Sequence, residues 1–576
     1  MTPRLIACLV LLLTVQAPLM AQGFLKVSGK QITDEKGNNV LLRGVGLGGW
    51  MLQEGYMLQV HGQGMQHLIK KRITELVGEA KTQQFFNAWL ANHTRKVDID
   101  SMKAWGFNSV RLPMHYNLYT LPVEEEPEPG KHTWLEKGFR ITDSLLAWCK
   151  ANQMYLILDL HAAPGGQGND NNISDRDPSK PSLWDSEANQ QKTIALWRKL
   201  AERYANEPWI GAYDIINEPN WGFEDPENDK NGLKEKKNEP LKKLMVDITK
   251  TIREVDKKHI IIIEGNGWGN NYNGILPPWD NNMVLSFHKY WNYNTVGAIQ
   301  HILDTRDTYN VPVWLGETGE NSNVWFTEAV QLLERHNIGW AWWPLKKLGN
   351  NNPMQIKSNP GYKKILAYWR GEGPKPDEQE AYDGLMQLAH ATRLEETVIK
   401  RDVIDALIRQ PFSYTALPFK PHRVQNGTVV QAVDYDLGRN GVAYFDKDTA
   451  DYHISEEGQR GGNQGRVYRN DGVDIGMDEG YFVSHTEAGE WLQYTLDVKK
   501  AGNYALKLKY NAAKEDAKIS VTVNSQKKAV RVSMPRSTGW SSVDVKPISL
   551  KKGKHVLRVY FEEGGIDFCS IEFGKK

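Results

Sequence analysis

The stretch Tyr155-Leu156-Ile157-Leu158-Asp159-Leu160-His161-Ala162 is apolar along most of its length and turns polar only towards its end. A short run of this kind reads as a strand of a parallel sheet, covered on both faces. Working outward from it, seven further runs share the texture: Val40 to Gly48, Ser109 to His115, Ile210 to Pro219, His259 to Trp268, Met283 to Trp291, Val311 to Gly319 and Ile338 to Leu345. Between them lie segments with apolar residues at helical spacing, among them Lys137 to Asn152, Glu187 to Asn206, Leu241 to Lys257, Thr295 to Tyr309 and Val324 to Asn337. Eight strands with intervening helices over residues 23 to 370 predict a (β/α)8 TIM barrel, an α/β fold, with insertions. A doubly wound open sheet is the alternative, but no Gly-rich dinucleotide fingerprint follows any of the runs.

After the barrel the texture changes twice. Gly371-Glu372-Gly373-Pro374-Lys375-Pro376 is a breaker-rich linker that opens a helical spacer over residues 371 to 424, with helices near Glu378 to Arg393 and Leu394 to Arg409. Residues 425 to 576 are short alternating strands punctuated by Gly and Asn, such as Trp491 to Leu496, Tyr504 to Tyr510, Ile519 to Val523 and His555 to Phe561. That pattern predicts an antiparallel β-sandwich.

Composition narrows the function. With 71 Lys+Arg against 70 Asp+Glu in 576 residues, the chain has neither the basic excess of a nucleic-acid binder nor the acidic bias of a disordered tail. The informative bias is 20 Trp and 23 Tyr, flat rings with a polar edge on which a sugar face stacks. Residues 1 to 21, with Arg4, the apolar run Leu5 to Val15 and Ala21 before Gln22, read as a signal peptide, so export to the periplasm or medium is expected. Only three apolar residues separate Arg4 from Cys8, too few for a lipoprotein signal. Cys149 and Cys569 fall in separate predicted domains and are not expected to pair.

In a barrel of this kind catalytic groups project from the C-terminal ends of the strands. Those ends are polar here: Arg111-Leu112-Pro113-Met114-His115, Asp159-Leu160-His161, Asn217-Glu218-Pro219, His288-Lys289-Tyr290, Gly316-Glu317-Thr318 and Trp342-Trp343-Pro344. Glu218 and Glu317 are thereby predicted on the fourth and seventh strands, facing each other across the mouth. Paired acids flanking one bond are what glycoside hydrolysis needs, one to protonate the leaving oxygen and one to attack or to activate water.

The ordered set Gly44-Val45-Gly46-Leu47-Gly48-Gly49-Trp50, Arg111-Leu112-Pro113, Asp159-Leu160-His161, Asn217-Glu218-Pro219, His288-Lys289-Tyr290 and Gly316-Glu317 resembles glycoside hydrolase family 5, a family of retaining β-glycanases. The resemblance implies Glu218 as general acid/base and Glu317 as nucleophile, roughly 5 Å apart. Asn217 would hold the 2-hydroxyl, Arg111 and Tyr290 would hydrogen-bond the nucleophile, and His161 and His288 would line the mouth. Trp343 would be a stacking floor, with Lys346 or Lys347 as hydroxyl donors. No metal or cofactor is expected: His61 and His67 lack zinc-helix spacing and read as loop surface, and Glu124-Glu125-Glu126 reads as a solvated face.

Residues 425 to 576 resemble a family 6 carbohydrate-binding module through Tyr468 to Ile475, Gly489 to Tyr494, Ala501 to Tyr504 and Ser537-Thr538-Gly539-Trp540. Trp540 is its candidate sugar contact. Gln431-Ala432-Val433-Asp434-Tyr435 stands where acidic residues would help hold a structural calcium ion, which argues against calcium there, and Gly564 to Asp567 lacks the family's cleft Asn.

The expected activity is endo-cleavage of β-1,4 or mixed-linked glucan by double displacement, by a monomer acting on polysaccharide or oligosaccharide. Exo-β-1,3-glucanase and β-mannanase are alternatives, transglycosylation is a third outcome of the same intermediate, and a non-catalytic glycan-capture protein is the reading from another class.

Overall fold

The structure is a computed structural model that describes residues 23–452, 464, 467–524 and 529–575. The signal-peptide reading lies outside the described residues, among which no helix is long and apolar enough to cross a membrane.

Eight parallel strands close into a barrel: β1 (Arg43–Gly46), β2 (Ser109–His115), β3 (Tyr155–Ala162), β4 (Ile210–Asp214), β5 (Ile260–Glu264), β6 (Met283–Lys289), β7 (Val313–Gly319) and β8 (Gly339–Trp343), with β8 pairing back onto β1. The fold class read from the sequence is the one observed. The clearest physical case is β5, four isoleucines and a glutamate, all buried. Such a strand can exist only between a filled barrel and a cover of helices. One covering helix, Glu239–Val255, starts with Pro240 in its first turn and turns Leu241, Leu244, Met245, Ile248 and Ile252 inward. Another, Glu187–Tyr204, is capped by the Ser186 hydroxyl, which accepts from the Asn189 amide at 3.2 Å, and its buried Trp197 donates to the Ile215 carbonyl at 2.8 Å.

Two regions depart from the sequence reading. The insertion holding His67 is a helix, Gln66–His93, broken at Gly78 (φ 76°). Its Ile69, Ile73, Phe85 and Trp89 form a second core with Tyr362, Ile365, Leu385 and Leu388, so the spacer helix Glu378–Ala391 packs on this insertion. His67 is not loop surface, because Asp175 holds it at 2.7 Å and holds His115 at 2.9 Å. Nor is the acidic run simply solvated: Glu126 is buried against Lys192 and accepts from the Thr133 amide at 2.9 Å.

The C-terminal region is a β-sandwich of two six-stranded sheets, antiparallel except where His422–Val424 runs parallel to Trp491–Val498. Its core includes Tyr435, Tyr494, Leu506, Leu557 and Phe568. The sandwich docks on the barrel just after β7. Asn323 donates to Asp402 (3.0 Å) and to Asp471 (2.9 Å), the Asn470 amide donates to Asp402 (2.7 Å), and Ala450 joins the barrel core.

Candidate active site

Arg111, in the middle of β2, is fully buried and organises the polar end of the barrel. Its Nη1 donates to Glu317 Oε2 at 2.9 Å, and its Nη2 donates to Asn217 Oδ1 (2.7 Å), Asp214 Oδ2 (2.9 Å) and Glu264 Oε1 (3.2 Å). Asp159 lies 3.3 Å away. A guanidinium cannot give up its proton in such company. Against the cost of burial, Asp159, Asp214, Glu264 and Glu317 hold its pKa above the ordinary value.

Glu317 lies within β7 and is gripped by both oxygens, Oε2 by Arg111 and Oε1 by the Tyr290 hydroxyl at 2.8 Å. Glu218 sits differently from the expectation that placed it on the fourth strand. It lies four residues beyond β4 in a left-handed turn (φ 43°), a conformation unusual for a side-chain-bearing residue. The turn is fixed on both sides. The Glu218 amide donates to Glu264 Oε2 at 2.7 Å, its carbonyl accepts from Asn220 Nδ2 at 2.9 Å, and the preceding Asn217 carbonyl accepts from Gln167 at 2.9 Å.

Glu218 and Glu317 each present an oxygen, and His288 a ring nitrogen, within 4.8 Å of one another. Both acids are nearly covered, 5% and 6% exposed. His288 Nδ1 meets Glu218 Oε1 at 2.6 Å, and its other nitrogen lies 3.2 Å from Glu264 Oε1. Burial pushes the Glu218 carboxyl up, the His288 ring pulls it down, and the charge of Glu317 adds to the rise, leaving it above the usual carboxylate range. Burial would neutralise His288, but Glu264 and Glu218 overcome it and raise the ring well above its ordinary value. The same three donors could in principle receive a metal ion. An imidazole already set between Glu218 and Glu264 and a carboxylate already held by Arg111 and Tyr290 make them a poor set for one.

His161 completes the mouth. Its Nδ1 meets Asp159 Oδ2 at 2.8 Å, its Nε2 lies 3.4 Å from the Asn217 amide nitrogen, and its ring stacks on Trp343 at 5.0 Å and 12°. Trp343 is only 3% exposed: Gly46 and Gly48 press so close that an added Cβ would come within 2.5 and 2.6 Å of its ring, and its Nε1 donates to Tyr56 at 2.9 Å. It is a buried wall of the site and not the open stacking floor expected. Lys346 is no hydroxyl donor, since its Nζ is consumed by Asp98 (2.7 Å), the His93 carbonyl and the Thr392 carbonyl. Lys347 pairs with Glu320 and lies 5.4 Å from the Tyr56 ring, at the edge of the site. Trp540 is in the sandwich, its Nε1 donating to Asp478 at 3.0 Å and its ring edge-on to Phe482.

Sequence reasoning missed Glu264 and Glu54. Glu264 is signalled by the lone acid ending an all-isoleucine strand. Glu54, in the loop after β1, is buried 3.9 Å from His161. Burial and the charges of Glu317 and Glu218 raise its carboxyl well above the ordinary range.

Residues 72–349 match the family model described as cellulase (glycosyl hydrolase family 5). The matched stretch takes in most of the barrel, so the likeness to glycosyl hydrolase family 5 falls on that domain. Residues 469–571 match the model of carbohydrate binding module family 35, which corrects the family 6 expectation and leaves the sandwich a carbohydrate-binding-module type. The chain is similar to a β-xylosidase of Phanerodontia chrysosporium, 26% identical over 59% of this chain and 74% of the relative. It is also similar to endoglucanase C of Acetivibrio thermocellus, 29% identical over 37% of this chain and 55% of the relative, and to a glucan 1,3-β-glucosidase of Blumeria graminis, 27% identical over 44% and 56%. The chain thus spans little more than half the length of the last two. In the barrel, Arg111, Asn217, Glu218, His288, Tyr290 and Glu317 form one connected polar cluster, with His161 and Trp343 alongside.

Proposed function

We propose that the protein is an exported, retaining β-glucan hydrolase that cleaves β-1,4 or mixed-linked chains internally, with Glu218 as acid/base and Glu317 as nucleophile. The observation that carries this reading is the pair of carboxyls within 4.8 Å of each other in opposite settings. Glu317 is gripped through both oxygens by a guanidinium and a phenol, whereas Glu218 is buried on a histidine with its proton affinity raised. Two acids in such different settings suit the separate roles of nucleophile and proton donor. The spacing suits direct attack better than the wider gap that an intervening water requires.

In the first step Glu218 donates its proton to the glycosidic oxygen as a Glu317 oxygen attacks the anomeric carbon and the C–O bond to the leaving sugar breaks. In the second, the now ionised Glu218 takes a proton from water, whose oxygen displaces Glu317. Asn217, oriented by Arg111 through its Oδ1, has its Nδ2 directed at His161 and the mouth, where a sugar 2-hydroxyl would accept from it. Tyr290 and Arg111 keep Glu317 aimed throughout.

A second reading, exo-action on β-1,3-glucan, draws on the similarity to a glucan 1,3-β-glucosidase and on Glu54, whose buried carboxyl could bind the hydroxyls of a terminal sugar. Purified protein against cellulose derivatives, lichenan, laminarin and mannan, with product sizes followed in time, separates the readings. Early oligosaccharides of mixed length from lichenan support the first, and glucose alone from laminarin supports the second.

A further inference from the structure

We propose that the sandwich completes the catalytic mouth, supplying Tyr452 to a sugar-stacking subsite that it builds jointly with Tyr293 of the barrel. The inference rests on the glycanase reading of the acid pair and goes beyond it, because it makes the appended domain part of the substrate cleft and not only a separate binder.

The loop after β6 carries the barrel's share. Tyr290 at its start donates to Glu317, so the loop begins at the reacting centre. Trp291 Nε1 donates to the Glu320 carbonyl at 3.2 Å, Trp325 Nε1 donates to the Asn292 carbonyl at 2.8 Å, and Asn294 accepts from Lys289 Nζ at 2.7 Å. Held at these points, the loop still leaves Trp291 38% and Tyr293 51% exposed, a large apolar area to show water beside a buried acid pair.

The sandwich's share arrives on a clamped segment. Asn321, four residues after Glu317, binds the backbone of Asp451 on both sides, donating to its carbonyl and accepting from its amide at 3.0 Å. Ser322 donates to the Thr449 carbonyl, and Ala450 between them is buried in the barrel core. Tyr452 follows and lays its ring on Tyr293, centroids 4.6 Å apart and planes at 30°. Its hydroxyl lies 3.5 Å from Glu328.

The occupant this surface fits is a pyranose ring of the glucan chain some way from the scissile bond. Axial C–H groups stack on an aromatic face, while the phenol and indole edges suit the equatorial hydroxyls. Because both rings are fixed before substrate arrives, little ordering cost opposes the contact. Tyr56, also exposed and joined to Trp343, marks another edge of the mouth, so the chain has aromatic surface at two places around the acids.

The test uses the full chain with Glu317→Gln, in which binding can be read without turnover, and calorimetry with β-1,4- and β-1,3-linked oligosaccharides of two to six units. The expected result is that adding Tyr452→Ala weakens the hexasaccharide of the preferred linkage about tenfold and the disaccharide much less, while Tyr452→Phe restores the binding. Equal weakening at every length, no weakening, a Phe variant as poor as the Ala variant, or no binding of any oligosaccharide overturns the subsite. Failure of the catalytic reading shows separately, as glucan turnover that survives Glu317→Gln, or as none in the parent protein.

Discussion

His288 Nδ1 stands 2.6 Å from Glu218 Oε1, and the opposite nitrogen of the same ring stands 3.2 Å from Glu264. Glu218 is therefore the outer member of a row, and Glu264 at the end of β5 both faces the imidazole and holds the Glu218 amide. The charged or titratable groups around this row include Arg111 from β2, Glu54 from the loop after β1, Asp214 from β4, Glu317 from β7 and Tyr272, whose hydroxyl lies 2.7 Å from the Ile263 carbonyl and 2.5 Å from that of Ser286. Glu264 is a positioning residue that acts through His288 and the Glu218 turn.

Replacing it tests that role. In the parent protein Glu264 and Glu218 raise the His288 ring well above its ordinary value despite burial. Glu264→Gln removes the larger of those two charges, and the ring's titration, followed by NMR of labelled histidine, moves down towards about 6.5. A new ionisation then enters the pH profile of kcat. An unmoved titration would leave Glu264 a packing residue.

The two acids predict different failures. Glu218→Ala removes proton donation in the first step and proton abstraction from water in the second, so glucan turnover falls about a thousandfold. An aryl glycoside whose phenolate leaves unaided keeps its glycosylation step. Glu317→Gln replaces the nucleophilic carboxylate with a neutral amide and silences both substrates. Burst and steady-state kinetics on the two substrate types distinguish these patterns.

Asp175 ties the insertion helix to the barrel through His67 and His115. Burial opposes its charge, but bonds from His115 and His67 lower its pKa to about 2. His67 is raised, chiefly by Asp175. The carboxylate's contribution is present above its unfolded value near 3.9 and fades as pH falls through about 2. The histidine's is full below about 6.5 and is lost as pH rises through its raised folded value. Asp175→Asn should cost about 2 kcal/mol near pH 5.5 and less at pH 9. Hydrogen exchange of the first turns of Gln66–His93 reads that helix separately from global unfolding.

The domain junction offers a further check. Asn323 satisfies two buried carboxylates, Asp402 and Asp471. Asn323→Leu withdraws both donors and should cost about 2 kcal/mol at the interface, so that calorimetry resolves a sandwich transition below that of the barrel. A single unshifted transition would contradict the coupling.

What could be read in the sequence follows from which forces are local. Strands covered on both faces show as apolar runs wherever they occur, and polar residues at their ends are visible as exceptions, so the barrel and Glu317 were legible. Glu218 was legible as an acid near the end of the fourth strand but not in its geometry, because the turn that carries it past β4 depends on Glu264, 46 residues away. His67 and Lys346 were misread for the same reason, their partners Asp175 and Asp98 lying 108 and 248 residues distant. Trp343 has the right place and the wrong exposure, since the glycines that bury it sit on β1 and in the loop after it.

The central claim is direct attack by Glu317 on the anomeric carbon, and proton NMR of the first sugar released from a β-glucan tests it without any variant. Double displacement predicts that the new reducing end appears as the β-anomer and reaches the equilibrium mixture only by mutarotation. An α-anomer appearing first would mean a single inversion by water, and Glu317 would then not be the nucleophile.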